Sequence, residues 1–109
     1  MTKRILKSLL FLLLVGSDAV TAQGVTSSVK GTLTDSSGAV VPGAVCTLTD
    51  QATRRTITAK SWEDGSFTFP NVPPGTYTLR IEAGGFKTLN INDLVVSANE
   101  IRTLGTLVL

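Results

Sequence analysis

Hydrolysis, group transfer and metal binding need bases, nucleophiles and ligands at close spacing, and this chain offers few of them. It has no histidine and one cysteine, Cys46, so the commonest base near neutral pH and the commonest zinc ligand are missing or nearly so. Serine and threonine are plentiful. A hydroxyl nucleophile still needs a base, and the carboxylates are scattered or adjacent in turn-like sequence, as Glu63 and Asp64 are. A calcium site on those two would need about six oxygens; an aspartate ahead of Gly65 forming a tight turn is the simpler reading. The residue inventory is that of a protein that is not an enzyme and needs no cofactor or metal.

Binding is what the inventory leaves. Trp62 is the single tryptophan, and an indole next to a tight turn is a natural contact for a protein partner or a sugar ring. The alternative is that it folds back over the sheet edge to cover Phe67 or Ile57. Asp64 stands beside it in sequence as a polar contact. Arg54 and Arg55 form the other candidate contact, for an acidic partner, or else a charged strand start that discourages edge-to-edge pairing. Tyr77 by its place in the strand alternation belongs to the core, with its hydroxyl bonded near the sheet end.

The first residues read as an export signal. Lys3, Arg4 and Lys7 precede an apolar run from Leu9 to Val15, and Val20-Thr21-Ala22 is a small-residue cleavage site. The run is well short of the roughly 20 residues that span a bilayer. Removal of residues 1–22 would leave residues 23–109 as one small domain, with no membrane span and with seven basic and seven acidic side chains. Such a balanced surface has no electrostatic footprint for nucleic acid. The expected location is exported: periplasmic, associated with the outer membrane, or secreted. The expected partner is an envelope protein or a polysaccharide.

From Thr26 onward apolar residues recur with period 2 and never with helical spacing, which predicts an all-β chain. Seven strands are expected, over 28–34, 44–49, 55–61, 66–69, 76–83, 86–96 and 101–108, folded as an antiparallel sandwich. Alternation sends Cys46, Leu48, Phe67, Phe69, Tyr77, Leu79 and Ile81 inward, with Phe86 capping one end of the core. Cys46 is then a small buried hydrophobe rather than a reactive thiol. In the last strand Leu104 and Leu107 share a face only if Gly105 makes a bulge. Turn chemistry marks the breaks. Gly38 and Gly65 close tight reversals, Pro42-Gly43 and Pro74-Gly75 have the type II pattern with glycine at positive φ, and Gly84-Gly85 ends a strand. On that basis Gly75→Val is expected to destabilise by more than about 1 kcal/mol.

In order and spacing, Gly31-x-x-x-Asp35-x-x-Gly38-Ala39-x-x-Pro42-Gly43-Ala44, Asp64-Gly65-x-Phe67-x-Phe69-x-x-Val72-Pro73-Pro74-Gly75-x-Tyr77-x-Leu79 and Gly85-Phe86-Lys87 resemble the carboxypeptidase regulatory-like domain. The resemblance implies a seven-stranded, prealbumin-like sandwich of transthyretin type that is an accessory to something larger, such as a zinc peptidase domain or a TonB-dependent outer-membrane receptor. It carries no peptidase activity onto these residues. A signal sequence directly ahead of the module is similar to the receptor arrangement, so a stand-alone relative or a shortened receptor is expected. Two residues depart from the family pattern: Cys46, where it has a β-branched residue, and Trp62, where it has a small polar one.

Overall fold

The computed structural model describes residues 26–109, so the expected signal at 1–22 lies outside the described residues. Seven strands follow in order: β1 (Ser27–Thr34), β2 (Val45–Asp50), β3 (Thr56–Lys60), β4 (Ser66–Val72), β5 (Gly75–Glu82), β6 (Leu89–Val96) and β7 (Ile101–Val108). They form a three-stranded sheet, β4-β1-β7, and a four-stranded sheet, β3-β2-β5-β6. The strands form where threonine and β-branched residues alternate with larger apolar ones, because each strand then has one side to bury and one to wet. β5 shows the pattern best: Tyr77, Leu79 and Ile81 are buried, and Arg80 and Glu82 between and after them are exposed.

The two inward faces meet in a core of Val29, Leu33, Cys46, Leu48, Phe67, Phe69, Leu79 and Ile81, all fully buried, with Val41, Ala44, Val72, Tyr77, Leu94 and Val96 around them. At about 1.5–3 kcal/mol for each large apolar side chain removed from water, this layer is what holds a domain without a disulfide together. Phe67 and Phe69 meet edge to face with ring centroids 6.1 Å apart, the favoured arrangement for aromatic quadrupoles. Tyr77 donates its hydroxyl hydrogen to Pro73 O at 2.6 Å, closing the core at the β4–β5 link.

The bulge in β7 is real. Lys30 faces Thr103 but Thr32 faces Thr106, so one extra residue is accommodated at Gly105, whose φ is 70°, and Leu104 and Leu107 both turn toward the core.

Several expectations are corrected. β7 runs parallel to β1, not antiparallel, because the chain leaves β6 at the edge of one sheet, crosses over Ser97–Glu100 and joins the outer side of the other. Phe86 does not cap the core. Its amide donates to Ala83 O at 3.1 Å, which makes it the last residue of the Gly84-Gly85 turn, 37% exposed, and β6 starts only at Leu89. Arg55 precedes β3 instead of opening it, and β4 continues three residues past Phe69. Gly75 is not at positive φ; the left-handed residue in that region is Asn71, at φ 58°. Pro73 and Pro74 hold the preceding residues extended, so the chain crosses between sheets without a four-residue reversal, and Gly75 is already paired with Val96. The strain expected for Gly75→Val therefore has no basis in the backbone.

Candidate functional site

Each end of the sandwich gathers one set of loops. At one end lie the β1–β2, β3–β4 and β5–β6 connections; at the other lie the β2–β3 loop, the β4–β5 link and the β6–β7 turn.

The β3–β4 loop is stiff. Trp62 N–H donates to Ser66 O at 2.8 Å, Gly65 N–H donates to Trp62 O at 2.9 Å, and Leu33 N–H donates to Gly65 O at 2.8 Å, which ties the loop to β1. Asp64 Oδ1 accepts from Ser66 N–H at 2.9 Å and from Ser66 Oγ–H at 2.6 Å; these hydrogen bonds hold its carboxyl below the usual aspartate value. Asp35 does the same for its own loop, accepting from Ser37 and Ala39. On this rigid tip Trp62 is 69% exposed. An indole this exposed is not folded back over the sheet edge as a cover for Phe67 or Ile57. Val40, Val45, Phe86 and Val108 are also exposed, and all belong to loops or strand ends at this same end.

A residue the sequence reading passed over organises this end. Ser61 is 6% exposed, and its hydroxyl fills the opening of the Pro42-Gly43 corner, accepting from Ala44 N–H at 2.9 Å and donating to Val41 O at 2.8 Å. It thus replaces the hydrogen bond that a closed turn makes directly, while Gly43 supplies the positive φ of 71°. The signal was available: Ser61 continues the inward phase of Ile57 and Ala59, where a polar group needs a partner. Ser61→Ala leaves two buried backbone groups unsatisfied and is expected to destabilise by about 1–3 kcal/mol; urea denaturation measures it, and a change within a few tenths would mean that water takes the hydroxyl's place. Ser27 has a matching role at the other end, donating to Ser97 O and accepting from Glu100 N–H at 2.9 Å.

The four candidate contacts do not form one site. Trp62 and Asp64 sit at one end and Arg54 and Arg55 at the other, with the whole of β3 between the pairs, roughly 16 Å at 3.3 Å per residue. Arg54, at φ 64°, borders a shallow groove of ≈ 410 Å³ on the outer face of the four-stranded sheet, shared with Thr47, Thr49, Thr78, Arg80, Glu82 and Asn90. Arg80 and Glu82 pair there at 2.7 Å, both in solvent.

Chemistry is equally sparse in three dimensions. Among the described residues no three His, Cys, Asp or Glu side chains come together as a metal site, and no helix is long and apolar enough to cross a membrane. Cys46 is fully buried, and burial pushes its thiol up from 9.0 to about 11. A thiol whose folded pKa is raised contributes stability that is complete below pH 9 and is lost as the pH rises toward 11, on the order of 3 kcal/mol at about 1.4 kcal/mol per unit. Burial also raises the Tyr77 hydroxyl, with Asp50 adding to it, so its contribution fades over the upper part of that window and beyond. The urea midpoint is expected to fall between pH 9 and pH 11, and Cys46→Val to flatten that fall; an unchanged slope in the variant would remove Cys46 from the account.

The family model of the carboxypeptidase regulatory-like domain matches residues 28–109, which is β1 to the end of the chain. The chain belongs to that family. None of the curated proteins matches it. Among solved structures, this regulatory-like domain is similar to a candidate carbohydrate-binding protein from Bacteroides uniformis (22% identity, TM-score 0.62), over 76% of this chain and 41% of that one. It is similar to the dioxygenase domain of a dioxygenase carbohydrate-binding protein fusion from Streptomyces sp. SirexAA-E (16% identity, TM-score 0.56), over 82% of each chain. A cohesin-X-dockerin complex from Acetivibrio cellulolyticus also matches (24% identity, TM-score 0.53), over 73% of this chain and 52% of that one. The domain thus spans about two fifths of the length of the Bacteroides protein. At these identities the likeness is one of fold.

Proposed function

We propose that this regulatory-like domain is a non-catalytic, exported interaction module that contacts an envelope protein through the loop end carrying Trp62. The observation that carries the reading is the indole, 69% exposed on a loop whose backbone is fixed by three hydrogen bonds. A large side chain held out rigidly loses little freedom on contact, which is how aromatic residues come to dominate interface energies. Val40 and Phe86 extend the apolar area at the same end. Export rests on the basic start and apolar run at residues 1–22; the location is the cell envelope or beyond, as in the accessory N-terminal domain of a TonB-dependent receptor. Protein recovered from envelope fractions would begin at Gln23.

An edge strand adds a second means of contact. β4 carries Pro70 and the left-handed Asn71, β3 is five residues long, following Arg55 and ending on Lys60, and β6 is broken by Asp93 at φ 56°. Those are the devices that blunt edges. β7 has eight residues, one charge and no proline, and among the described residues nothing pairs with its outer side. A partner strand could add there.

The exposed indole also favours a second reading, a carbohydrate-binding module using Trp62 and Asp64. Because Trp62 is the only tryptophan, its emission reports directly on this end. A shift on titration with envelope extract, abolished by protease treatment of the extract, is the expected result; Trp62→Ala, which has no tryptophan emission, is followed instead by retention of envelope protein on the immobilised domain, and that retention should be lost. A shift with polysaccharides instead selects the second reading, and a flat response to both retires this surface.

A further inference from the structure

We infer that the opposite end of the sandwich holds a separate small-ligand cleft that takes a neutral sugar ring. The cleft, ≈ 320 Å³, lies between the β2–β3 loop and the β4–β5 link, with Asp50, Arg55, Ile57, Asn71, Pro73 and Tyr77 around it. That is the lower end of the size range for ligand pockets, room for one ring and not for a chain. Two apolar walls, Ile57 and Pro73, face three polar side chains, the mixture of apolar lining and a few convergent polar groups that small-ligand sites show.

The polar groups are available. Asp50 uses Oδ1 to hold its loop, accepting from Ala52 N–H at 2.8 Å and Thr53 N–H at 3.2 Å, and among the described residues nothing donates to its Oδ2. The Arg55 and Asn71 side chains take no part in the hydrogen bonds within the described residues, and Arg80–Glu82 is the ion pair found there, so Arg55 is not neutralised by Asp50. The guanidinium brings five donors in a fixed plane, and the amide brings both donors and an acceptor. The frame behind them is rigid. Asp50 N–H donates to Arg55 O at 2.8 Å, Arg54 N–H donates to Asp50 O at 2.9 Å, and the Tyr77 hydroxyl fixes Pro73.

The donor set selects the ligand class. One acid and one base sum to zero charge, so an ionised ligand of either sign gains from one and is opposed by the other. Vicinal hydroxyls donate to Asp50 and accept from Arg55 and Asn71 at once, and the C–H face of the ring lies against Ile57 and Pro73. The site needs no chemistry and so extends the non-catalytic reading, but its location is far from Trp62, and each can fail without the other.

The test is a titration of ¹⁵N-labelled protein, residues 23–109, with a panel of monosaccharides and disaccharides and, separately, with zwitterionic amino acids. Saturable shifts of the Asn71 side-chain amide and the Arg55 Nε–H with a sugar are expected. Asp50→Asn and Arg55→Ala, neither of which removes a bond the fold depends on, are each expected to weaken that binding by about tenfold or more, the loss of a hydrogen bond to a charged group, while Trp62→Ala leaves it unchanged. Shifts confined to the Trp62 loop, shifts with amino acids alone, or no saturable shift at all would each overturn the cleft.

Discussion

Gly65→Ala lowers the unfolding free energy by about 3 kcal/mol or more, and with it the melting temperature by more than about 10 °C for a domain of this size. Two causes add. Gly65 is at φ +79°, where an L side chain costs about 1–2 kcal/mol. A methyl group there would also sit 2.6 Å from Leu33 O and 3.0 Å from Val40 Cβ. Leu33 O is a backbone atom already accepting from Val41 N–H at 3.0 Å, so it cannot move aside without breaking the strap between β1 and the following loop. Overpacking of that kind costs a further 1–3 kcal/mol or so. Two other glycines separate the causes. Gly43 shares the positive φ, at 71°, but has open space around it, so Gly43→Ala should show the strain alone, about 1 kcal/mol. Gly75 has neither, its nearest neighbours being at 3.4 Å and beyond, and Gly75→Ala should be neutral or slightly stabilising. Urea midpoints followed by circular dichroism rank the three; equal losses at Gly43 and Gly65 would show that Leu33 O yields and the clash is illusory.

That series also marks where the sequence was legible. Positive φ at Gly38, Gly43 and Gly65 follows from local turn chemistry, because two or three neighbouring residues determine each one. The inward set from Cys46 to Ile81 follows from period-2 alternation, which is equally local. Gly75 failed the same reasoning because Pro74-Gly75 describes a reversal within a sheet, and here the chain crosses between sheets. The parallel pairing of β7 and β1 was out of reach for a related reason. Residues 27–34 and 101–108 alternate identically whichever way they pair, and only the crossing after β6 sets the direction.

The candidate contacts were legible as residue types and not as a place. Trp62, Asp64, Arg54 and Arg55 are close in sequence, and a strand of five residues is enough to carry the two pairs to opposite ends. Asn71, which joins Asp50 and Arg55 at the cleft, comes from the other sheet and has no sequence signal tying it to them. Ser61 and Ser27 could have been found, since both occupy the inward phase of a strand where an unpartnered hydroxyl would be costly.

Phe67→Ala is expected to cost about 3–5 kcal/mol, the usual loss for emptying a buried aromatic site, and the same ring explains why residue 31 is a glycine. Gly31 and Phe67 face each other across β1 and β4. A Cβ on residue 31 would lie 2.8 Å from Phe67 Cζ and 2.9 Å from Cε1, so the ring occupies the space a side chain would take and covers the glycine from within. Gly31→Ala should therefore destabilise by about 1–3 kcal/mol, although alanine suits a strand interior better than glycine by about 0.5–1 kcal/mol. The two residues should be strongly coupled. Leucine lacks the Cζ and Cε1 atoms that make the clash, so in a Phe67→Leu background Gly31→Ala should cost little or become stabilising, limited only by Gly105 O at 3.3 Å. A double-mutant cycle measures this directly. Additivity within about 0.5 kcal/mol would mean that the Phe67 ring swings away freely, and that the glycine is kept for the approach of β7 and not for the aromatic ring.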